Sequence, residues 1–208
     1  MDTVQKQRPQ QHLICLREGV DTTPFLEELA GREHLWMGYT QRQSALYYHS
    51  LTQTILLRHV SRSNSHEIPV CIDGPHESTR SEFSVFLRNS LQFAENFAEQ
   101  NQLGLGRVAL IQLAPHSIAY RHCDTELHLQ NRKRYHLVIK AEPTNILCSG
   151  DETVPITSGQ LFEYDNIASH KSYNDSDAWR IHLVFDAFPR HISQKPEPAT
   201  NTRAAGSK

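Results

Sequence analysis

The chain has 208 residues, with 21 Lys and Arg against 23 Asp and Glu, a formal net charge of -2. That length suits one domain with one core, and the near-neutral balance excludes a basic field for nucleic acid. The four cysteines, Cys15, Cys71, Cys123 and Cys148, form no CxxC pair, no run is long enough to cross a bilayer, and the polar start at Met1 has no apolar signal core. A cytoplasmic protein without membrane contact or a disulfide framework is expected. The first ten residues read as a tail. Thr23 to Ala30 reads as a short helix, with Thr23 as cap, Pro24 in the first turn and Gly31 as stop. Residues 47–60 end in an apolar strand over Thr54 to Val60, and residues 64–77 carry Pro and Gly and read as a loop. Thr79 to Gln100 gives the clearest helical pattern: Phe83, Phe86 or Leu87, Ser90, Ala94 and Phe97 recur at helical spacing.

Beyond Gly104 the period changes. Arg107 to Leu113 and Arg134 to Lys140 read as strands, and Ser117 to Arg121 as a further extended piece. Asn145 to Cys148, Thr153 to Ile156 and Gln160 to Tyr164 read as short strands, the last two flanking a turn at Ser158 and Gly159. Trp179 to Asp186 closes the series, and residues 191–208 are too poor in apolar side chains to repay ordering. Helices first and many short strands afterwards predict a small β-sandwich or barrel buttressed by helices. A single unit over residues 11–190 is expected, mixed over 11–104 and β-rich over 105–190.

The chemistry concentrates in the second half. Residues two apart on an extended strand point to one face, so His122 and Asp124 can reach one metal while Cys123 points away. His170 follows the strand-to-turn segment from Phe162 to Ser169 and must arrive from another strand or its following loop. Two imidazoles and a carboxylate hold one face of an Fe(II) ion and leave three positions open, two for a bidentate 2-oxoacid and one for dioxygen. Arg180 stands in the apolar run Trp179, Ile181, His182, Leu183, Val184. There it either faces solvent or serves a buried anion, and 2-oxoglutarate offers a bidentate carboxylate.

Over residues 107–186 the chain resembles the aspartyl/asparaginyl β-hydroxylase family of Fe(II)- and 2-oxoglutarate-dependent oxygenases, and is similar to bacterial cis-proline hydroxylases. The shared pieces are His122 to Asp124, Arg134 to Ile139, Gly159 to His170 and Arg180 to Asp186. The resemblance implies a mainly β fold with supporting helices, a double-stranded β-helix or jelly roll of the cupin kind. It implies His122, Asp124 and His170 as iron ligands and Arg180 as the partner of the distal carboxylate of 2-oxoglutarate. It sets Arg134 and His136 beside the co-substrate's metal-chelating end, though Arg134 also reads as the edge of a basic patch with Arg132 and Lys133. His182 either lines the pocket or is a satisfied core histidine.

By the same resemblance the reaction is hydroxylation of an unactivated carbon, the β carbon of an Asp- or Asn-like residue, with O2 consumed and succinate and CO2 released. Animal protein-modifying members carry glycine where this chain has Asp124, and no helical-repeat domain precedes the core here. Both points favour a free amino acid, a peptide or a carrier-bound residue as substrate. Two alternatives stay open. A cupin-like metalloenzyme that uses no 2-oxoglutarate would not need Arg180, and a non-catalytic jelly-roll ligand-binding module would not need the Asp124 carboxylate. Substrate choice is expected of the loops at 61–77, 125–131 and 171–178. Asp165 and Asn166 either fix the His170 imidazole or form an ordinary Asx turn. His116 reads as a loop residue, and Trp36, Tyr39, Tyr47 and Tyr48 as core or as caps over the pocket.

Overall fold

A computed structural model of the chain describes residues 11–40, 49–60, 78–124 and 132–189. The expectations that rest on Tyr47, Tyr48, the loops at 61–77 and 125–131 and the two tails lie outside the described residues. Among the described residues eleven strands run in chain order as β1 (Leu13–Arg17), β2 (Thr52–Val60), β3 (Ser78–Arg80), β4 (Leu103–Leu113), β5 (Ser117–His122), β6 (Lys133–Lys140), β7 (Ile146–Ser149), β8 (Glu152–Pro155), β9 (Leu161–Tyr164), β10 (His170–Asn174) and β11 (Arg180–Pro189). Two α-helices, α1 (Thr23–Leu29) and α2 (Arg88–Gln100), and 3-10 turns at Glu33–Met37 and Glu82–Val85 complete the described elements. A seven-stranded sheet has the order β1-β9-β6-β11-β4-β2-β3, and a four-stranded sheet the order β5-β10-β7-β8. Their pairings are antiparallel, as a jelly roll requires.

The large sheet is apolar on both faces. Tyr135, Leu137 and Ile139 of β6 and Ile181, Leu183 and Phe185 of β11 pack against Phe25 and Leu29 of α1 and Leu91 and Ala94 of α2. Val138, Phe162 and Tyr164 face the other way and meet Leu147 of the small sheet, with Ile156 and Leu13 beside them. The two-residue period of β6 and β11 therefore turns Arg134, His136, Arg180 and His182 toward the small sheet. The helical core forms one side of a wall whose other side sets these polar side chains among the apolar ones.

Three local expectations are corrected. The helix predicted over Thr79 to Gln100 begins only at Arg88. Ahead of it Arg58, His59 and Val60 pair with Ser78, Thr79 and Arg80, and Ser81 donates its N–H to Leu57 O at 2.9 Å. Pairing with β2 overrides the helical spacing of Phe83 and Phe86, and Phe86 remains exposed. Residues 171–178, expected as a loop, hold strand β10 as far as Asn174. Its buried members are His170, Ser172 and Asn174, so the two-residue period is carried by polar side chains and leaves no hydrophobic signal. Thr22, not Thr23, precedes α1, and the carboxylate of Asp21 accepts the Thr23 N–H at 2.9 Å. The turn at Ser158 and Gly159 stands as predicted. Gly159 has φ +87°, and an added Cβ would lie 2.8 Å from Val20 O. Among the described residues no helix is long and apolar enough to cross a membrane.

Candidate metal centre

Pairing of β5 with β10 sets His170 directly opposite His122, at the end of both strands. Asp124 does not share the pleat of β5, which ends at His122. It is held just beyond the strand, where its N–H donates to Asn166 O at 3.0 Å. One donor atom from each of His122, Asp124 and His170 falls within 4.8 Å of the other two, a set that can hold a metal ion. Cys123, between two of them, is exposed.

Backbone carbonyls fix both imidazoles. His122 Nδ1 lies 2.7 Å from Tyr120 O, and His170 Nδ1 lies 2.9 Å from Ala168 O. A carbonyl only accepts, so each Nδ1 carries a proton, which leaves Nε2 as the nitrogen able to ligate. Burial, and then the charge of His122, pushes His170 down to about 4, so its ring is neutral and ready to ligate at pH 7. Burial alone would raise the Asp124 carboxyl. Arg134, then His170 and the Asn166 hydrogen bond, hold it well below the ordinary carboxylate range. The ring of His49, itself buried, stands edge-on to His122 with centroids 4.9 Å apart. The donor set, ionisation states and geometry fit a divalent cation of the Fe(II) kind.

Arg134 is buried and bound to two carboxylates, so it is not a surface basic-patch residue. Its Nη1 donates to Asp124 Oδ2, and its Nε donates to Asp186 Oδ1 at 2.7 Å. Asp186, and then Asp124, keeps the guanidinium protonated despite complete burial. Asn166 Nδ2 donates to the same Asp124 Oδ2 at 3.0 Å, so it supports the carboxylate and not the His170 ring. Asp165 forms the Asx turn, accepting the N–H groups of Ile167 and Ala168, and also meets His12 Nδ1 at 2.8 Å.

Arg180 lies within the roll. Nη1 donates to Tyr173 O at 3.2 Å and Nη2 to Ser172 Oγ at 3.0 Å, while Nε is buried without a partner. Among the described residues no carboxylate pairs with it, and burial pushes its guanidinium down to about 10. A desolvated, uncompensated cation is costly, and an anionic ligand relieves that cost. His182 is likewise buried, and its Nδ1 lies 3.2 Å from His136 Nδ1. Burial holds both rings well below the ordinary histidine value, so both are neutral. Two facing Nδ1 atoms can share one proton only, so one imidazole offers an N–H at Nε2 and the other a lone pair. Both Nε2 atoms are buried without partners. His182 is therefore not a satisfied core histidine. His136 also stacks on Tyr164, ring centroids 4.5 Å apart.

His116 is a loop residue with φ +48°, set against Asp177 at 2.8 Å, away from the three donors. Trp36 belongs to the helical core. Sequence reasoning missed Asp186 as a partner of Arg134. Its signal was present: a carboxylate inside an apolar strand, in register with an arginine of the neighbouring strand.

A family model described as aspartyl/asparaginyl beta-hydroxylase matches residues 84–189. Comparison with curated proteins gave no match. Among solved structures, one of a 2OG-Fe(II) oxygenase family oxidoreductase from Burkholderia pseudomallei is similar at TM-score 0.46 and 10% identity, covering 66% of this chain and 67% of that one. A Cupin_2 domain of an XRE family transcriptional regulator from Enterobacter cloacae is similar at TM-score 0.35 and 17% identity, over 44% of this chain and 87% of that one. A predicted oxalate decarboxylase from Thermotoga maritima is similar at 0.33 and 18%, over 45% and 73%.

Proposed function

We propose, because the chain belongs to the aspartyl/asparaginyl β-hydroxylase family, that it is an Fe(II)- and 2-oxoglutarate-dependent hydroxylase. Its substrate in this reading is an Asp- or Asn-like free amino acid, peptide or carrier-bound residue, hydroxylated at the β carbon. One atom of O2 enters the substrate and the other enters succinate, with CO2 released. The observation that carries the reading is a convergent His, Asp and His donor set on the same interior as a buried arginine that lacks a carboxylate partner among the described residues.

His122 and His170 would hold the iron through Nε2 and Asp124 through one oxygen. Bound iron supplies O2 activation and attack on an unactivated carbon–hydrogen bond. Arg180 would take the distal carboxylate of 2-oxoglutarate, with its unpartnered Nε completing a charge-assisted contact. The imidazole with a proton at Nε2 adds a neutral donor, whichever of His136 and His182 it is. Val138, Phe162 and Tyr164 line the interior between the sheets and limit access of bulk water. Retention of Asp124, in place of glycine, favours a small substrate over a folded protein.

The test is anaerobic addition of Fe(II) and then 2-oxoglutarate to metal-free protein, watching for the visible metal-to-ligand charge-transfer band. The band should appear, weaken or vanish in Asp124→Ala and His170→Ala, and need more 2-oxoglutarate in Arg180→Ala. No band in folded, metal-loaded protein would sink the reading and favour a metalloenzyme that uses no 2-oxoacid.

A further inference from the structure

The two oxygens of Asp124 have different surroundings. Oδ2 accepts from both Arg134 Nη1 and Asn166 Nδ2. Oδ1 faces the imidazoles, 3.9 Å from His122 Nε2. Arg134 is gripped from its far side, where Asp186 takes Nε at 2.7 Å and Nη2 at 3.3 Å. The two residues sit opposite each other across the β6–β11 pair, and both are buried. A buried carboxylate–guanidinium–carboxylate chain adds little net stability over apolar packing, so fold stability alone does not account for it.

The charges around Asp186 point the same way. Arg134, Arg107 and Arg132 all act on its carboxylate, with Arg107 Nε 3.7 Å from Oδ2. Arg134 and Arg107 also act on Asp124. Without Asp186, guanidinium charge beside a dication site would lack its counter-charge. Arg134 would also lose the anchor that sets its fork, and would bind Asp124 with its whole charge.

We propose that Asp186 is a positioning residue of the metal centre: through Arg134 it fixes Asp124 as a ligand through Oδ1 alone and offsets the charge that would draw that carboxylate off the cation. The proposal rests on the metal-dependent reading above. It assigns Asp186 no contact with substrate, co-substrate or metal.

The experiment titrates Mn(II), which is stable in air, into the metal-free full chain by calorimetry. Asp186→Asn should weaken binding by about ten- to a hundredfold, the usual effect of removing a partner that orients a metal ligand. In an Asp124→Ala background the same substitution should change affinity by less than about twofold, because an effect routed through Asp124 vanishes with it. A purely structural role would lower the melting temperature and leave Mn(II) affinity unchanged in the folded protein. An Asp186→Asn chain with parental circular dichroism and parental affinity overturns the proposal. So does an equal loss in the Asp124→Ala background. If Asp186→Asn does not fold, Arg134→Lys replaces it, since an ammonium keeps the charge but cannot bridge two carboxylates in a fixed fork. Loss of affinity there supports the proposal, and retained affinity overturns it. A parent chain that binds no Mn(II) overturns the metal reading together with the proposal. A parent that binds, and whose affinity falls in Asp124→Ala but not in Asp186→Asn, overturns the proposal alone.

Discussion

Replacing Arg180 with methionine should stabilise the ligand-free protein while abolishing its response to 2-oxoglutarate. Burial pushes this guanidinium from its ordinary 12.5 down to about 10. The folded state disfavours the charged form, so at pH 7 the whole penalty stands, and it fades only as pH rises through the folded value. At about 1.4 kcal/mol per pKa unit, the penalty is about 3 kcal/mol. Methionine fills similar volume without charge, but it gives up the bonds to Tyr173 O and Ser172 Oγ. Those cost about 1 kcal/mol each. The net gain is about 1 kcal/mol, or about 2–4 °C in melting temperature for a chain of this size. In the parent, 2-oxoglutarate at a hundredfold excess over its Kd should add about 3 kcal/mol, and in the variant nothing. Thermal unfolding of Mn(II)-loaded parent and variant, with and without 2-oxoglutarate, reads both effects. A variant that is less stable than the parent by about 2 kcal/mol or more, or that still gains stability from 2-oxoglutarate, would refute the view of Arg180 as an uncompensated anion receptor.

Asp124→Ala should weaken Mn(II) binding by more than the roughly ten- to hundredfold typical of losing an orienting partner, since a donor itself is removed; calorimetry measures this. The metal-free protein should also lose stability in acid. His170 has a folded value of about 4, below its ordinary 6.5, so the unfolded chain takes its proton first. Its contribution is fully present above about pH 6.5 and is lost as pH falls through 4, about 3 kcal/mol in all. His136 and His182 act in the same direction. Urea midpoints between pH 7 and pH 4 should fall accordingly, and a constant midpoint would contradict the buried neutral rings. Gly159→Ala forces a side chain into φ +87° against Val20 O. It should cost about 1–2 kcal/mol in thermal unfolding and leave Mn(II) affinity unchanged.

Strands whose buried face is apolar were legible. β4, β6 and β11 carry Val, Leu, Ile and Phe at positions local pattern detects, and their predicted ranges differ from the observed ones mainly at the ends. β10 was not, because its inward face is His170, Ser172 and Asn174. Asn174 Nδ2 lies within hydrogen-bond reach of Leu113 O, Ala114 O and Ala178 O and shares its two hydrogens among them, so the strand is held by hydrogen bonds that composition cannot signal. The apparent long helix failed for the converse reason. Phe83 and Phe86 kept helical spacing, but the chain ahead of them was committed to β2.

What the sequence determined by itself was the donor chemistry: two imidazoles, a carboxylate, and an arginine set in an apolar run, where it faces either solvent or a buried anion. Residue type dictates what each group can bind, and that survives without coordinates. The tertiary structure decided how the groups are used. Pairing of β5 with β10 brings His170 to His122 across 48 residues of chain, and pairing of β6 with β11 sets Arg134 against Asp186, from where it also reaches Asp124. Both outcomes depend on strand register. A slip of one residue would turn the same side chains to the opposite face, and register is set by long-range packing and not by any local pattern.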